Sequence, residues 1–423
     1  MTKGYQHSVS LDLARCKGCT HCIQHCPTQA IRVRDGHAVI NPALCVDCGE
    51  CIRICPYQAK KALFDRLEDI PAEKKHRIAL PAPALYGQFD NLDDVDYLLQ
   101  GLRDMGFDEV FEVARAAELV TAYTRRFLAR KDVPRPVINS ACPAVERLIS
   151  LRFPSLCRNV MPILPPFEVA ARLAKKEALA KHPDWRPEEV CTVFVSPCPA
   201  KAGFVKNGIN GGKLEVDYVV SMADVYFKLI GVMKADAAPK TASQTGMIGM
   251  SWASTGGESA ALLNERYLAA DGIENVIRVL DQIETGHFPF LEFVELNACN
   301  AGCVGGVATV ENPYIARVRL QQLRRYLPVS RTRLDDSDGG GVPPEMIFPE
   351  PLHGQTIQLD PDRWKAMEKM AAIEQILKTL PALDCGGCGA PTCRAFAEDV
   401  VGGEASAEDC VVLMREKWRK RRK

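Results

Sequence analysis

The run CKGCTHCIQHCP, starting at Cys16, returns as CVDCGECIRICP at Cys45. Both read C-x2-C-x2-C-x3-C-P. Three closely spaced thiolates cap one face of an iron–sulfur cubane, and in this spacing the fourth cysteine ligates the other cluster. The spacing therefore assigns Cys16, Cys19, Cys22 and Cys55 to one 4Fe-4S cluster, and Cys45, Cys48, Cys51 and Cys26 to a second. The prolines are expected to end the turn and start a helix that carries the crossed ligand. A zinc module is the competing reading, and the complete motif occurring twice argues against it.

This is the spacing of bacterial ferredoxins, and AIRVRDGHAVIN between the two motifs fits the short hairpin of such a domain. A ferredoxin domain joined to a larger one implies electron delivery into the larger one. The rest of the composition narrows the setting. With 53 basic and 53 acidic residues among 423, nothing global points to nucleic acid or an anionic membrane. No run approaches 18 apolar residues, and MTKGYQHSVS does not read as a signal peptide. The chain is expected to be soluble and cytoplasmic, with no membrane span. In a reducing compartment its eighteen cysteines are expected to bind metal rather than form disulfides. The basic end REKWRKRRK reads as a solvated helix end rather than a docking patch for an acidic partner.

Four regions follow: a two-cluster ferredoxin domain over 1–70, a large domain over 75–335, a Gly- and Pro-rich linker over 336–360 containing DDSDGGGVPPEMIFPEP from its upstream edge, and a cysteine-bearing domain over 361–423. In the large domain, helical spacing in LDDVDYLLQGLRDMGF and PPFEVAARLAKKEALAKH alternates with strand-length runs in RIALPAPAL, RPVINSAC, VCTVFVSPC and EVDYVVS. That alternation predicts an α/β domain with mostly parallel sheets. Cys142, Cys198, Cys299 and Cys303 lie at the ends of apolar runs, where open α/β sheets build their sites. Four such thiols make a further cluster site; inert buried cysteines are the alternative.

These loops resemble the three active-site motifs of FeFe-hydrogenases: NSACPAVERL, VSPCPAKAGF and ELNACNAGCVGG. RIALPAPALYGQF, LRDMGFDEVFEV, EVDYVVSMADVYFKL, ASTGGESAAL and NPYIARVRL resemble family segments in the same order. The resemblance implies that Cys142, Cys198, Cys299 and Cys303 bind a 4Fe-4S cluster. It implies that Cys303 also bridges to a two-iron subsite carrying CO, cyanide and an azadithiolate, once matured, forming the H-cluster. It also implies that Lys201 hydrogen-bonds a cyanide, a role that suits an ammonium beside an anionic ligand.

The departures concern proton transfer. Where catalytic relatives have a relay cysteine just before the first ligand, this chain has Ala141. Ser196 and Phe204 stand where the second motif usually has Met and Glu, and Asn297 stands where the third usually has Met. The helix that usually supplies relay carboxylates reads LVTAYTRRFLAR. General acid–base catalysis needs a titratable group within hydrogen-bond reach, and the usual members are missing. Ser and Asn in place of Met add hydrogen-bonding groups near the cluster, which shifts its potential.

The end of the chain, DCGGCGAPTCRAF followed by Cys410, resembles the 4Fe-4S module found in Rnf electron-transport complexes and in corrinoid iron–sulfur proteins. The resemblance makes Cys385, Cys388, Cys393 and Cys410 ligands, with a zinc site as the alternative. The domain is expected to be small and α-helical. Cys157 and Cys191 remain as packing residues. The whole resembles the sensory FeFe-hydrogenases without a PAS domain, the group D branch. That implies slow, reversible reaction with H2 and protons, and electron transfer to a redox partner such as a ferredoxin, a signalling protein or a hydrogenase subunit. A non-catalytic electron-transfer component of a hydrogenase complex and a Narf-like iron–sulfur assembly factor stay open, as does the oligomeric state.

Overall fold

The computed structural model describes residues 5–422 except 72–73, 75, 91, 209–211, 234–238, 333, 335–339 and 356–357. The chain divides into two compact units. One joins both ends, residues 1–45, 49–61 and 355–423; the other comprises 46–48 and 62–354.

In the first unit, β1 (Val9–Leu11), β2 (Ile31–Arg34), β3 (His37–Ile40) and β4 (Lys60–Ala62) form two two-stranded sheets, β1 with β4 and β2 with β3. The β2–β3 pair is the hairpin expected from AIRVRDGHAVIN, antiparallel with Ile31 opposite Ile40. Short helices His21–Gln24 and Glu50–Arg53 lie between the second and fourth cysteines of their motifs. They therefore precede Pro27 and Pro56 rather than follow them, which corrects the expectation that the prolines open the helices. Turns closed by Gln29 N–H to Cys26 O and Gln58 N–H to Cys55 O follow each proline instead.

The C-terminal part of this unit is helical: Arg363–Thr379, Cys393–Val401 and Val411–Arg421. It packs on the hairpin. Val33 N–H donates to Gly389 O at 2.7 Å. Gly389 has φ +82°, and a Cβ there would stand 2.2 Å from Val33 O, so the close approach requires glycine. Asp399, 6 % exposed, accepts from Arg32 Nε at 2.7 Å and also from Arg34. The two ends of the sequence thus share one body.

The second unit is α/β, and its two sheets pair their strands in parallel. β5 (His76–Pro81), β6 (Glu109–Val110), β8 (Val190–Ser196) and β9 (Tyr218–Ser221) form one sheet in the order β6-β5-β8-β9. β7 (Val137–Ile138), β10 (Tyr267–Asp271) and β11 (Phe293–Asn297) form another in the order β10-β11-β7. β8 is buried along its whole length, as a strand covered on both faces must be. Cys191 lies in β8 within the core of the first sheet, and Cys157 lies in the core of the second.

The described part of the expected linker is held on this unit up to Gly354. Leu164 N–H donates to Met346 O and Phe348 N–H to Pro162 O, Met346 is buried, and Ser150 Oγ donates to His353 O. Its apolar residues explain this: Met346 closes a short 3-10 turn with its side chain buried, and Ile347 makes an isolated antiparallel bridge to Ile163. The stretch 336–339 lies outside the described residues. Among the described residues, no helix is long and apolar enough to cross a membrane.

Candidate functional site

Cys16, Cys19, Cys22 and Cys55, one crossed set of the two N-terminal motifs, come together. The thiol of Cys22 is influenced by those of Cys19, Cys16 and Cys55, so the crossed set comes together around it. Burial pushes that thiol up to about 11, against the pull of Lys60. Cys26 and Cys51 lie against the same small core of Ile23, Ile31 and Ala38, and Cys45 is buried. Cys48 is half-buried and belongs to the central unit, against its second core. Each crossing cysteine accepts a backbone hydrogen bond to sulfur: Ala30 N–H to Cys26 Sγ at 3.2 Å and Ala59 N–H to Cys55 Sγ at 3.3 Å.

In the central unit the expected residues gather at the C-terminal ends of parallel strands. Cys142 follows β7 and caps helix Pro143–Arg152; Cys198 follows β8 and caps helix Pro199–Asn207. Proline at the first helical position suits both, since it costs no intrahelical bond there. The amides of Ala298 and Val145 donate to Cys142, and that of Lys201 to Cys198. Helix starts that aim N–H groups at a site favour an anion there. Cys299 follows β11, and Gly302 N–H to Cys299 O closes the turn that leads into Cys303. Burial pushes the Cys142 thiol above its usual value and Cys198 up to about 11.

Lys201 joins them. It is 8 % exposed, and its Nζ donates to Cys303 Sγ at 3.4 Å. Burial alone would lower its pKa, but the thiols of Cys303, Cys198 and Cys142 outweigh burial and hold it above the ordinary lysine value. A buried ammonium among converging sulfurs fits an anionic cluster beside it.

The substituted positions have new partners. Ala141 is half-buried. Ser196 Oγ donates to Cys198 O at 3.0 Å and accepts from Cys198 N–H. Phe204 packs edge-on against Phe167 and Phe348, an aromatic setting that would penalise a carboxylate. Helix Val113–Leu128 contains LVTAYTRRFL, and its Thr121 and Thr124 hydroxyls bond back to Ala117 O and Val120 O. Glu118, just before that stretch, accepts from the amides of Gly246, Arg331 and Thr332.

Asn297 leads to a feature that the motifs alone did not announce. Its side-chain amide donates to Glu295 Oε1 at 3.0 Å, and Glu295 also accepts from the amides of Gly256 and Ser259. Glu258 stands close enough for its charge to oppose that of Glu295, and accepts from Asn139 Nδ2 at 2.9 Å. Glu258 is 3 % and Glu295 2 % exposed. Burial raises both carboxyls, and mutual repulsion raises Glu258 further. The available signal was a glutamate inside the apolar strand run FVELN.

At the C-terminal end, Cys385, Cys388, Cys393 and Cys410 line one cavity with Leu380, Phe396 and Val411. Cys388 is raised by burial and is influenced by Cys410 and Cys385. Cys393 starts one helix and Cys410 caps another, so two helix N-termini meet the cavity. Cys157 and Cys191 stay in their cores, where burial pushes both thiols up, Cys191 to about 12.

Three family models match. The model described as "Iron only hydrogenase large subunit, C-terminal domain" covers residues 75–264 and 234–307, more than half of the chain. A "4Fe-4S dicluster domain" covers 8–56 and an Fe-S cluster model covers 380–412. The periplasmic [Fe] hydrogenase large subunit of Nitratidesulfovibrio vulgaris is 26% identical over 366 residues, covering 71% of this chain and 86% of that protein. An uncharacterized protein of Methanocaldococcus jannaschii is 37% identical over 59 residues, 14% of this chain and 26% of its own length. A solved FeFe-hydrogenase, determined in work on oxygen inactivation of the H cluster, superposes with a TM-score of 0.50 at 18% identity, over 68% of this chain and 97% of its own. At that identity the likeness supports the fold. With the dicluster match at one end, the Fe-S match at the other and the hydrogenase domain between them, the chain belongs to the iron-only hydrogenase large-subunit family.

Proposed function

We propose that this protein reacts slowly and reversibly with H2 and that its redox state reports hydrogen to a partner protein. The observation that carries the reading is the buried Lys201–Cys303 hydrogen bond, taken with Ala141, next in sequence to Cys142 and unable to carry a proton. Cys142, Cys198, Cys299 and Cys303 would hold a 4Fe-4S cluster, with Cys303 shared with a two-iron subsite. When bound, that subsite supplies the splitting of H2 into two protons and two electrons.

The chain's residues then set the pace. Lys201 holds a fixed positive charge at the shared sulfur. Ala141 supplies no acid or base at the point where a proton would leave. A carboxyl that the Cys299 loop touches is Glu295, through the side-chain amide of Asn297. An amide orients a proton donor but is a poor proton carrier, so this connection supports slow transfer. The N-terminal and C-terminal cysteine sets would hold three further 4Fe-4S clusters that take electrons to or from the site, with the C-terminal cluster as the exchange point for the partner.

The test is H2 uptake and evolution by matured wild-type protein and by Ala141→Cys, under one reductant, with infrared bands of CO and cyanide recorded on both. A positioned proton relay contributes about 10²–10⁴-fold to turnover. Wild-type turnover should therefore fall orders of magnitude below that of catalytic relatives, and Ala141→Cys should raise it modestly. Fast wild-type turnover would refute the sensing role. Absence of the infrared bands after maturation would favour a non-catalytic electron-transfer component.

A further inference from the structure

The two N-terminal cysteine motifs fold as structural equivalents, down to their hydrogen bonds. Gln29 N–H binds Cys26 O and Gln58 N–H binds Cys55 O. Ala30 N–H binds Cys26 Sγ and Ala59 N–H binds Cys55 Sγ. Asn41 N–H binds Ala30 O and Asp12 N–H binds Ala59 O. Gln29 and Gln58 both take left-handed backbone, φ 54° and 50°. The next residue in each copy breaks the equivalence. After Ala30 comes Ile31, buried in the core bordered by Cys16, Cys22, Cys26 and Cys51. After Ala59 comes Lys60.

Lys60 is 3 % exposed, and its Nζ has no hydrogen-bond partner among the described residues. No carboxylate among them lies within ion-pair distance of it. Its neighbouring titratable group is Cys22, whose thiol it stabilises as thiolate, in the set with Cys16, Cys19 and Cys55. A buried, unpaired ammonium is strongly unfavourable. It is tolerable when an anion lies beside it, and a cubane held by four thiolates is one.

We propose that Lys60 is a built-in counter-charge for the first cluster, the one held by Cys16, Cys19, Cys22 and Cys55, and that it makes the two ferredoxin-type clusters electrically unequal. Lys60 follows Cys55, which crosses to the first cluster, as Ile31 follows Cys26, which crosses to the second. The same backbone position thus offers a cation to one cluster and a hydrocarbon to the other. Reduction adds one electron, and so one negative charge, to a cluster. A fixed positive charge in a dry site favours the reduced form, so electrons entering this module settle preferentially on the first cluster. The inference rests on the two-cluster reading of this unit.

The experiment is a redox titration followed by electron paramagnetic resonance on the full chain, reconstituted anaerobically, for wild type, Lys60→Met and Lys60→Arg. Iron and sulfide are assayed on the same samples. In Lys60→Met the oxidised-to-reduced ratio of one ferredoxin-type cluster, at a fixed potential, should rise about tenfold, equivalent to about 59 mV for a one-electron couple. The other cluster should not move, and Lys60→Arg should titrate close to wild type. If the first cluster is lost in Lys60→Met but kept in Lys60→Arg, the charge role is likewise supported. Loss in both variants, or unchanged potentials in Lys60→Met with both clusters present, overturns the proposal. Wild-type protein lacking two ferredoxin-type clusters in the iron assay would instead remove the two-cluster reading on which it rests.

Discussion

Lys201 Nζ and Cys303 Sγ stand 3.4 Å apart, although three strands, β9, β10 and β11, lie between them along the chain. The lysine is carried by the helix that starts after Cys198, and the cysteine by the turn after β11. One hydrogen bond therefore ties two strand-end loops together and places a cation at the sulfur expected to be shared.

Truncating one partner of a buried charged pair costs about 3–5 kcal/mol. Lys201→Met keeps the side chain's bulk but removes the donor at Cys303. It should retain the central cubane's paramagnetic signal while weakening or shifting the infrared bands of CO and cyanide in matured protein. Bands identical to wild type in position and intensity would show that Lys201 does not act at that sulfur.

Ligand assignments are tested by iron content and by removal of single thiols. Four thiolates per cubane imply about sixteen iron atoms from four clusters. Replacing Cys142, Cys198, Cys299 or Cys303 by Ala should abolish the central signal and leave the ferredoxin-type signals. Cys157→Ala and Cys191→Ala should keep every cluster, because both thiols are buried among apolar side chains in the cores. About eight iron atoms together with bound zinc would refute the central and C-terminal assignments. Loss of a cluster in either control would show that the ligand sets are misdrawn.

The buried pair Glu258 and Glu295 should make stability depend on pH with an unusual sign for carboxyl groups. Burial raises both folded-state values above the ordinary glutamate range, Glu258 well above it. In that window the native state binds more protons than the unfolded chain, so stability falls as pH rises through the raised values. Each pH unit in the window is worth up to about 1.4 kcal/mol per group. Glu258→Gln removes one titration and the repulsion. Its Tm should therefore decline less than that of wild type as pH rises above the ordinary glutamate range, by several degrees on the scale of roughly 2–4 °C per kcal/mol. Parallel declines in the two proteins would mean that the pair does not carry a shared proton burden.

Docking of the C-terminal helices on the β2–β3 hairpin should depend on Asp399. Its carboxylate accepts from Arg32 and Arg34, which are mutually repulsive without it. Asp399→Ala should weaken this contact by about 3 kcal/mol, the low end for a buried pair because both arginines are partly exposed. Hydrogen exchange at Val33, whose amide binds Gly389 O, should accelerate by about two orders of magnitude. Exchange at Val33 unchanged from wild type would show that the contact is held by the backbone alone.

Where the ligand chemistry is local, it is readable in the chain itself. The doubled motif around Cys16 and Cys45 follows from cysteine spacing, and the strand-end loops at Cys142, Cys198 and Cys299 from apolar runs; the set from Cys385 onward rests on the resemblance of DCGGCGAPTC to a known module. Strand alternation in the middle region likewise leads to parallel sheets, because period and length are properties of short windows. Other features depend on residues far apart in sequence. The chain order suggests a cluster module at each end with the hydrogenase domain between them, yet Val33 meets Gly389 and Arg32 meets Asp399, so both ends share one unit. Glu258 and Glu295 lie on different elements, and only burial turns them from two ordinary carboxylates into a coupled pair. In sequence, Lys60 is one of two equivalent lysines in QAKKAL; β4 turns one inward and the other out, because successive side chains of a strand face opposite sides. Cysteine spacing thus marked the iron–sulfur modules at both ends of this chain. Tertiary structure decided which charges lie beside them, because an electrostatic field depends on distance and burial in space rather than on position along the chain.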